Sequence, residues 1–186
     1  MDARVPDHAP ATEAQLLRQA RRGDQAAFES LYHDHARAVH ALALRLTGNA
    51  AESEDIVQET FLRMFGFLSG LRENTPLRPW LKRVAANLAI DRLRRQHPAG
   101  KEADLAALVD ETQLSPADAV DADALLRRLP PLARTVLWLH EMEGWSHEYL
   151  ARRFGRTPSW SKSLLSRSLA RMRHELESDG DASDDR

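Results

Sequence analysis

The sequence predicts an all-α chain of two small helical domains joined by a flexible acidic linker. Three observations carry the prediction. Apolar residues recur three and four apart over most of the 186 residues, small polar residues stand ahead of these runs, and no segment alternates convincingly as a strand would. An aromatic content of 6% at this length suits modest cores. The net charge of -2 hides a layout in blocks. Between residues 152 and 173 stand Arg152, Arg153, Arg156, Lys162, Arg167, Arg171 and Arg173 with no acid, and between 78 and 95 six cations face only Asp91. In the middle, Glu102, Asp104, Asp110, Glu111, Asp118, Asp121 and Asp123 are opposed by Lys101 alone, and residues 175–185 are acidic again. A charge run is usually a solvated face. Four alternating blocks, basic on helices and acidic where the chain reads as flexible, point instead to nucleic acid.

Residues 1–11 are Pro- and Ala-rich and expected to be disordered. Thr12 with Gln15 makes a capping box for a short helix ending near Gly23, and Asp24 caps the next. There Phe28, Leu31, Tyr32, Val39, Leu42 and Leu46 form one stripe, which stops at Gly48. Asn49 and Glu52 open a third helix whose Ile56, Val57, Phe61, Met64 and Phe65 are expected inward, leaving Asp55, Gln58, Glu59 and Arg63 on the outer edge. Turn chemistry over 71–78 leads to Pro79, expected at the first position of a helix that buries Trp80, Leu81, Val84, Ala85 and Leu88. Arg83, Asn87 and Arg94 share the opposite face. The first domain therefore spans 12–97, and the acidic linker 98–115.

Ser115 and Pro116 open the second domain, 116–177. Leu125, Leu126 and Leu129 precede Pro130 and Pro131, and Val136, Leu137 and Leu139 carry a helix toward Gly144. Ser146 caps a short helix running through Phe154, Gly155 turns the chain, Thr157 caps, and Pro158 opens a last helix with Leu165, Leu169, Met172 and Leu176 inward. Residues 178–186 are expected as a disordered acidic tail.

The turn at Gly155 between two capped helices is the layout of a helix-turn-helix. Its second helix enters the major groove end first, so Ser159, Trp160, Lys162, Ser163, Ser166, Arg167 and Arg171 are the candidate contacts to bases and phosphates. An ordinary helical hairpin gives a similar pattern; the double capping and unbroken positive charge favour DNA. The upstream basic helix differs, because Trp80 offers a stacking surface, Asn87 an amide, and Arg83 and Arg94 phosphate partners. That mixture suits strand-separated DNA, and Arg72, Asn74 and Thr75 in the preceding loop could enclose an extruded base. Two separated grips suggest that a spacing on DNA is measured. The edge Asp55, Gln58, Glu59 and Arg63 is either solvated or a docking surface for a basic partner helix.

The chain has no cysteine, which removes disulfides, thiolate catalysis and the usual structural zinc sites and is what a reducing cytosol permits. His33, His35 and His40 lie near Asp34, but they do not share one helix face, so no metal site is expected. No catalytic constellation and no cofactor motif is present, so the expectation is a non-enzyme without cofactors. The absence of a membrane-spanning apolar run and of a signal-like start predicts a cytoplasmic protein with no membrane insertion.

FESLYHDH, DIVQETFLRMF, WLKRVAANLAIDRLRR and LPPLARTVLWLHEMEGWSHEYLARRFG, in this order, resemble the extracytoplasmic-function sigma factors, the small group IV members of the bacterial sigma-70 superfamily. The resemblance covers about residues 16–176. It implies a sigma-2-like bundle over 28–95 and a sigma-4-like helix-turn-helix bundle over 118–176, with a linker between them that threads RNA polymerase. The implied function is to bind core RNA polymerase and direct promoter recognition, DNA melting and transcription initiation. The implied partners are the clamp helices of the largest subunit, the flap of the second largest, promoter DNA and an anti-sigma factor. Asp55, Gln58, Glu59 and Arg63 match the segment that docks on the clamp helices. Arg83, Asn87 and the loop around residues 72–75 match the surface that receives the flipped base of the minus-ten element, and residues 159–171 match the helix that reads the minus-thirty-five element.

The last helix departs from the family's common TVKSRLHRAR, reading WSKSLLSRSL, so that Ser161 replaces a core valine and Leu164 a usual arginine. Trp160 and Leu164, one turn apart, are expected to put apolar surface where thymine methyls or an inhibitory protein would contact it. A free-standing helix-turn-helix regulator is the alternative, separable because it should hold its operator without polymerase.

Overall fold

The computed structural model describes residues 12–72, 75–97 and 122–184, with the side chains of residue 122 and of residues 177–184 left aside. The expected disordered start, the linker, the Ser115–Pro116 opening and Asn74 lie outside the described residues. No strand occurs among those described.

Helix α1 (Glu13–Arg21) begins at the Thr12 capping box, closed by the Gln15 backbone N–H and side chain. Asp24 caps α2 (Gln25–Thr47) by accepting from the Ala27 N–H, and Asn49 caps α3 (Ala50–Phe67) by accepting from the Glu52 N–H. A single 3-10 turn, Leu68–Gly70, follows. α2 is the spine of the first unit and packs on α1, α3 and α4.

Helix α4 (Leu77–Gln96) starts two residues before the expected Pro79. Pro76 precedes it, and the Glu13 side chain of α1 accepts from the Leu77 N–H at 3.2 Å. An orphan donor of the helix start is thus satisfied from 64 residues away. Pro79 is tolerated because first-turn N–H groups have no intrahelical partner anyway. Phe65 is also corrected: it is 63% exposed, its ring set T-shaped to Phe28 with ring centres 5.4 Å apart.

The second unit holds α5 (Ala122–Arg128), α6 (Pro131–Glu141), α7 (His147–Phe154) and α8 (Pro158–Asp184). Ser146 caps α7. Gly155 ends it at φ +67, and the Arg156 N–H reaches back to the Ala151 carbonyl at 2.8 Å, which caps the orphan carbonyls and sets the turn into α8. α8 continues to Asp184, past the expected boundary at 177, so the tail through 184 is helical. No proline interrupts it, and Gly180 alone is a weak breaker, costing about 1 kcal/mol.

The stripe expected to hold Leu165, Leu169, Met172 and Leu176 is rotated. Ser161, Leu164, Leu165 and Ser168 are buried, whereas Leu169 and Leu176 are 40% and 45% exposed. Two adjacent leucine rows run along α8, and the row that faces α6 and α7 is the one that fills.

The two units share a core. Leu31, Leu46, Ile56, Met64, Leu81 and Ile90 of the first and Val136, Leu139, Leu150 and Leu164 of the second belong to one buried apolar cluster. Each fully buried side chain of this size contributes about 1.5–3 kcal/mol. A smaller cluster, Leu126, Leu129, Leu137 and Leu165, belongs to the second unit alone. Across the seam α6 lies on α2 and α4, and α7 lies on α4.

Candidate nucleic-acid and partner interfaces

Three surfaces were expected, and they differ in what covers them. The first is the outer edge of α3. Asp55, Gln58 and Arg63 are exposed and Glu59 is half-buried, bonded to Arg63 at 2.9 Å one turn on. Asp55 approaches Arg92 of α4 at 3.5 Å. Beside this edge runs a groove of about 850 Å3 between α2 and α3, lined by Phe28, Tyr32, Val57, Gln58, Phe61 and Phe65 among others. The sequence reading missed its apolar half. Leu62 and Phe65, 60% and 63% exposed, place large hydrophobic surface next to the charged edge.

The second surface is α4 with its preceding loop. Arg72 is exposed and Thr75 half-buried, with the Thr75 N–H donating to the Arg72 carbonyl at 3.0 Å. Trp80 lies parallel to Phe67, ring centres 6.2 Å apart, and is half-buried against the core. Arg94 is exposed and leans toward Asp91 at 3.8 Å.

The second unit reaches both Arg83, which stays exposed, and Asn87, which is half-buried beneath it. Arg83 stacks over the Tyr149 ring at 4.9 Å and its Nε donates to the Tyr149 hydroxyl at 3.4 Å. Burial acts to raise the pKa of that hydroxyl, but Arg83, Asn87 and Arg153 outweigh it and hold it below the ordinary tyrosine value. Asn87 Oδ1 is fully buried with no partner within the protein. Around this contact, Arg153 of α7 pairs with Asp91 at 3.1 Å, Lys82 pairs with Glu143, and the Thr135 hydroxyl donates to the Leu46 carbonyl at 3.1 Å. The sequence reading gave no role to Tyr149, Arg153 or Glu143. Nothing local marks them, because their partners lie 61–66 residues away.

The third surface is the start of α8. Ser159, Lys162, Ser163, Ser166 and Arg167 are exposed on one continuous face. Thr157 caps the helix by accepting from the Trp160 N–H at 3.2 Å. Arg171 turns aside to Glu175 at 2.8 Å. Trp160 is half-buried on Phe154, ring centres 5.4 Å apart. Leu164, expected as surface, is 2% exposed. An arginine would be costly at that depth, which accounts for a leucine there. Ser161 is buried as well and bonds His147 Nδ1 at 3.0 Å across the turn.

His35 is buried beside Glu13 at 3.0 Å, His33 is exposed near Glu29, and His40 lines the α2–α3 groove. Among the described residues no group of three or more His, Cys, Asp or Glu side chains is placed to hold a metal ion, and no helix is long and apolar enough to cross a membrane.

Two family models match the chain: Sigma-70 region 2 over residues 31–98 and Sigma-70, region 4 over residues 119–172. The ECF RNA polymerase sigma factor SigM of Mycobacterium tuberculosis is 33% identical over 165 residues, covering 87% of this chain and 83% of its own length. The RNA polymerase sigma factor CarQ of Myxococcus xanthus is 34% identical over 166 residues, covering 84% of this chain and 92% of its own length. Other relatives are longer: this chain spans 64% of SigE of Mycolicibacterium smegmatis, at 32% identity over 83% of this chain, and 46% of RfaY of Xanthomonas campestris, at 34% identity over 91%. Among solved structures, CnrH in complex with the cytosolic domain of CnrY aligns over 90% of this chain and 98% of that one, with a TM-score of 0.50 and 22% identity, a likeness of fold.

Proposed function

Because this chain belongs to the extracytoplasmic-function sigma factors of RNA polymerase, we propose that it binds core polymerase in the cytoplasm and directs it, without catalysis of its own, to open and transcribe a set of promoters. The observation that carries this reading is the presence, on one chain and in this order, of an apolar groove edged with acids, a cationic amide-bearing helix and an exposed cationic recognition face. In this reading Asp55, Gln58, Glu59 and Arg63, with the apolar wall of Leu62 and Phe65, dock on the clamp helices. Arg72, Asn74, Thr75, Trp80, Arg83, Asn87 and Arg94 receive the minus-ten strand, and Ser159, Lys162, Ser163, Ser166, Arg167 and Arg171 contact the minus-thirty-five duplex. The flap of the second-largest subunit holds the second unit, and an anti-sigma factor competes for these surfaces. The relatives named above are all sigma factors, which leaves a free-standing regulator without support.

The free chain rests closed. Tyr149 sits on Arg83 and Asn87, so α7 must leave α4 before single-stranded DNA reaches that face. The seam is suited to opening, because the unpartnered Asn87 oxygen costs about 1–3 kcal/mol while closed and would gain a donor from a base. Run-off transcription from promoter fragments with purified core polymerase tests the whole reading. Start-site selection that depends on this chain is expected; no association with core, or association without initiation, would refute it.

A further inference from the structure

A second cavity, about 470 Å3, lies in the seam between the end of α2 and the α5–α6 corner, away from the surfaces assigned above. Arg134 is on its wall. It sits in the first turns of α6 and is 5% exposed, yet no carboxylate pairs with it among the described residues. Its Nη1 reaches only the Arg127 carbonyl at 3.5 Å, and its Nε is buried without a partner. A guanidinium has five donors and stays charged, so burial without an anion carries a penalty of several kcal/mol. The neighbourhood adds to the deficit. Burial and the nearby Arg127 both push its pKa below the ordinary arginine value. It also stands near the start of α6, the positive end of the helix dipole.

The other cations of the cavity are partly answered: Arg45 and Arg127 share Asp123 at 3.2 Å each, and Arg128 reaches Glu175 at 3.6 Å. Among the described residues, four arginines thus line a cavity with one acid, Asp123. The guanidinium of Arg134 lies against the backbone at Gly48, where a Cβ would collide with its Nη2, and Gly48 is left-handed at φ +71. Leu44, Leu126, Leu129 and Pro130 supply apolar walls. The volume falls in the range of small-ligand sites and exceeds what a bare oxyanion fills.

We propose that this seam cavity is a binding site for a small organic phosphate, its phosphate seated on Arg134 and its organic body on the leucine and proline walls. Planar donors in a dry site match phosphate oxygens, and a ligand held there ties α2 to α6 and so favours the closed chain. The inference does not depend on polymerase binding, and its test uses the purified full chain alone.

Isothermal titration and thermal melting with inorganic phosphate and with adenosine monophosphate, at fixed ionic strength, test it. Saturable binding with a rise in Tm is expected, the nucleotide binding more tightly than the bare ion. Arg134→Met should weaken binding by about tenfold or more, the loss of charged hydrogen bonds, while the ligand-free Tm stays at or above that of the parent. Leu44, 39% exposed and one turn before Gly48, gives a second variant that tolerates folding. Leu44→Glu places a carboxylate in the cavity, and is expected to raise the ligand-free Tm and abolish the response. Arg167→Ala, on the exposed α8 face, should leave binding unchanged. Absence of saturable binding, or a response lost in Arg167→Ala and retained in Arg134→Met and Leu44→Glu, overturns the proposal.

Discussion

Helices α4 and α8 carry the same signature in sequence, an amphipathic run with cations on its polar side, yet the folded chain treats them oppositely. α4 buries Leu77, Leu81, Ala85, Ala86, Leu88, Ala89, Ile90 and Leu93, nearly all the way round, and meets α7 on what remains. α8 buries only the row through Ser161, Leu164, Leu165 and Ser168, so its Ser159–Arg167 face looks outward. The lesson is that charge marks a surface for nucleic acid without saying when that surface is available. On the proposed reading the α8 face is open to duplex in the closed chain, whereas on α4 the Asn87 oxygen is buried and Arg83 is engaged by Tyr149 until the seam parts. That order fits the proposed role in initiation, in which the single-strand face has nothing to hold until melting begins.

The sharpest way to break this comparison is at Leu164. If it belongs to the core, Leu164→Ala removes a side chain that is 2% exposed and should destabilise the chain by about 2–5 kcal/mol, seen as a large drop in Tm. If it instead served DNA or an inhibitor, Tm would hold and only binding would change. Trp160→Ala, half-buried on Phe154, should cost less.

At α4 the comparison predicts a gain of function. Tyr149→Ala removes the ring over Arg83, an interaction worth about 0.5–1 kcal/mol at an exposed site, so binding of single-stranded minus-ten DNA by the free chain should rise about threefold. Asn87→Ala removes an unpartnered oxygen together with the side-chain hydrogen bond to Tyr149, so Tm should change little, while promoter opening is impaired and core binding spared. Equal loss of core binding would make Asn87 a folding residue and remove it from the DNA face.

How far the sequence foretold these features follows the range of the interactions that create them. Caps at Thr12, Asp24, Asn49, Ser146 and Thr157 each satisfy a donor three residues on, and each helix start they announced is present. The start of α4 was misplaced because its cap, Glu13, comes from another helix. Leu164 and Leu169 could not be ranked by period alone, since each heads a plausible stripe; only docking on α6 and α7 chooses. The Arg83–Tyr149 contact and the solitary Arg134 rest on how two units meet, and charge blocks cannot show that. Exposed Phe65 had a readable signal, the expected apolar stripe of α3 being wider than one neighbouring helix can cover.

On α8 a smaller effect is expected. Arg167→Ala should reduce the slope of log K against log salt for duplex minus-thirty-five DNA by about 0.9 if it neutralises one phosphate. Arg171, turned to Glu175 at 2.8 Å, should change the slope less unless that pair breaks on binding. Equal slopes for both variants and the parent would place the contact elsewhere on the helix.

The smallest effect concerns the hinge between α7 and α8. His147 accepts or donates at Nδ1 to the buried Ser161 hydroxyl and stacks on His140 at 4.1 Å between ring centres. Burial, His140 and Lys162 lower its pKa from the usual 6.5, against a weaker upward pull from Glu148 and Glu141. The sign follows from proton counting: as pH falls below about 6.5 the unfolded chain binds a proton before the native chain does, so stability is intact above that pH and declines beneath it. Replacing His147 by glutamine keeps a polar partner for Ser161 without a titrating ring. The Tm of that variant should therefore fall less than the parent's between pH 7 and 5.5. Parallel Tm profiles would mean that protonation leaves the hinge intact, and that the recognition face of α8 holds its angle whatever the charge on the ring behind it.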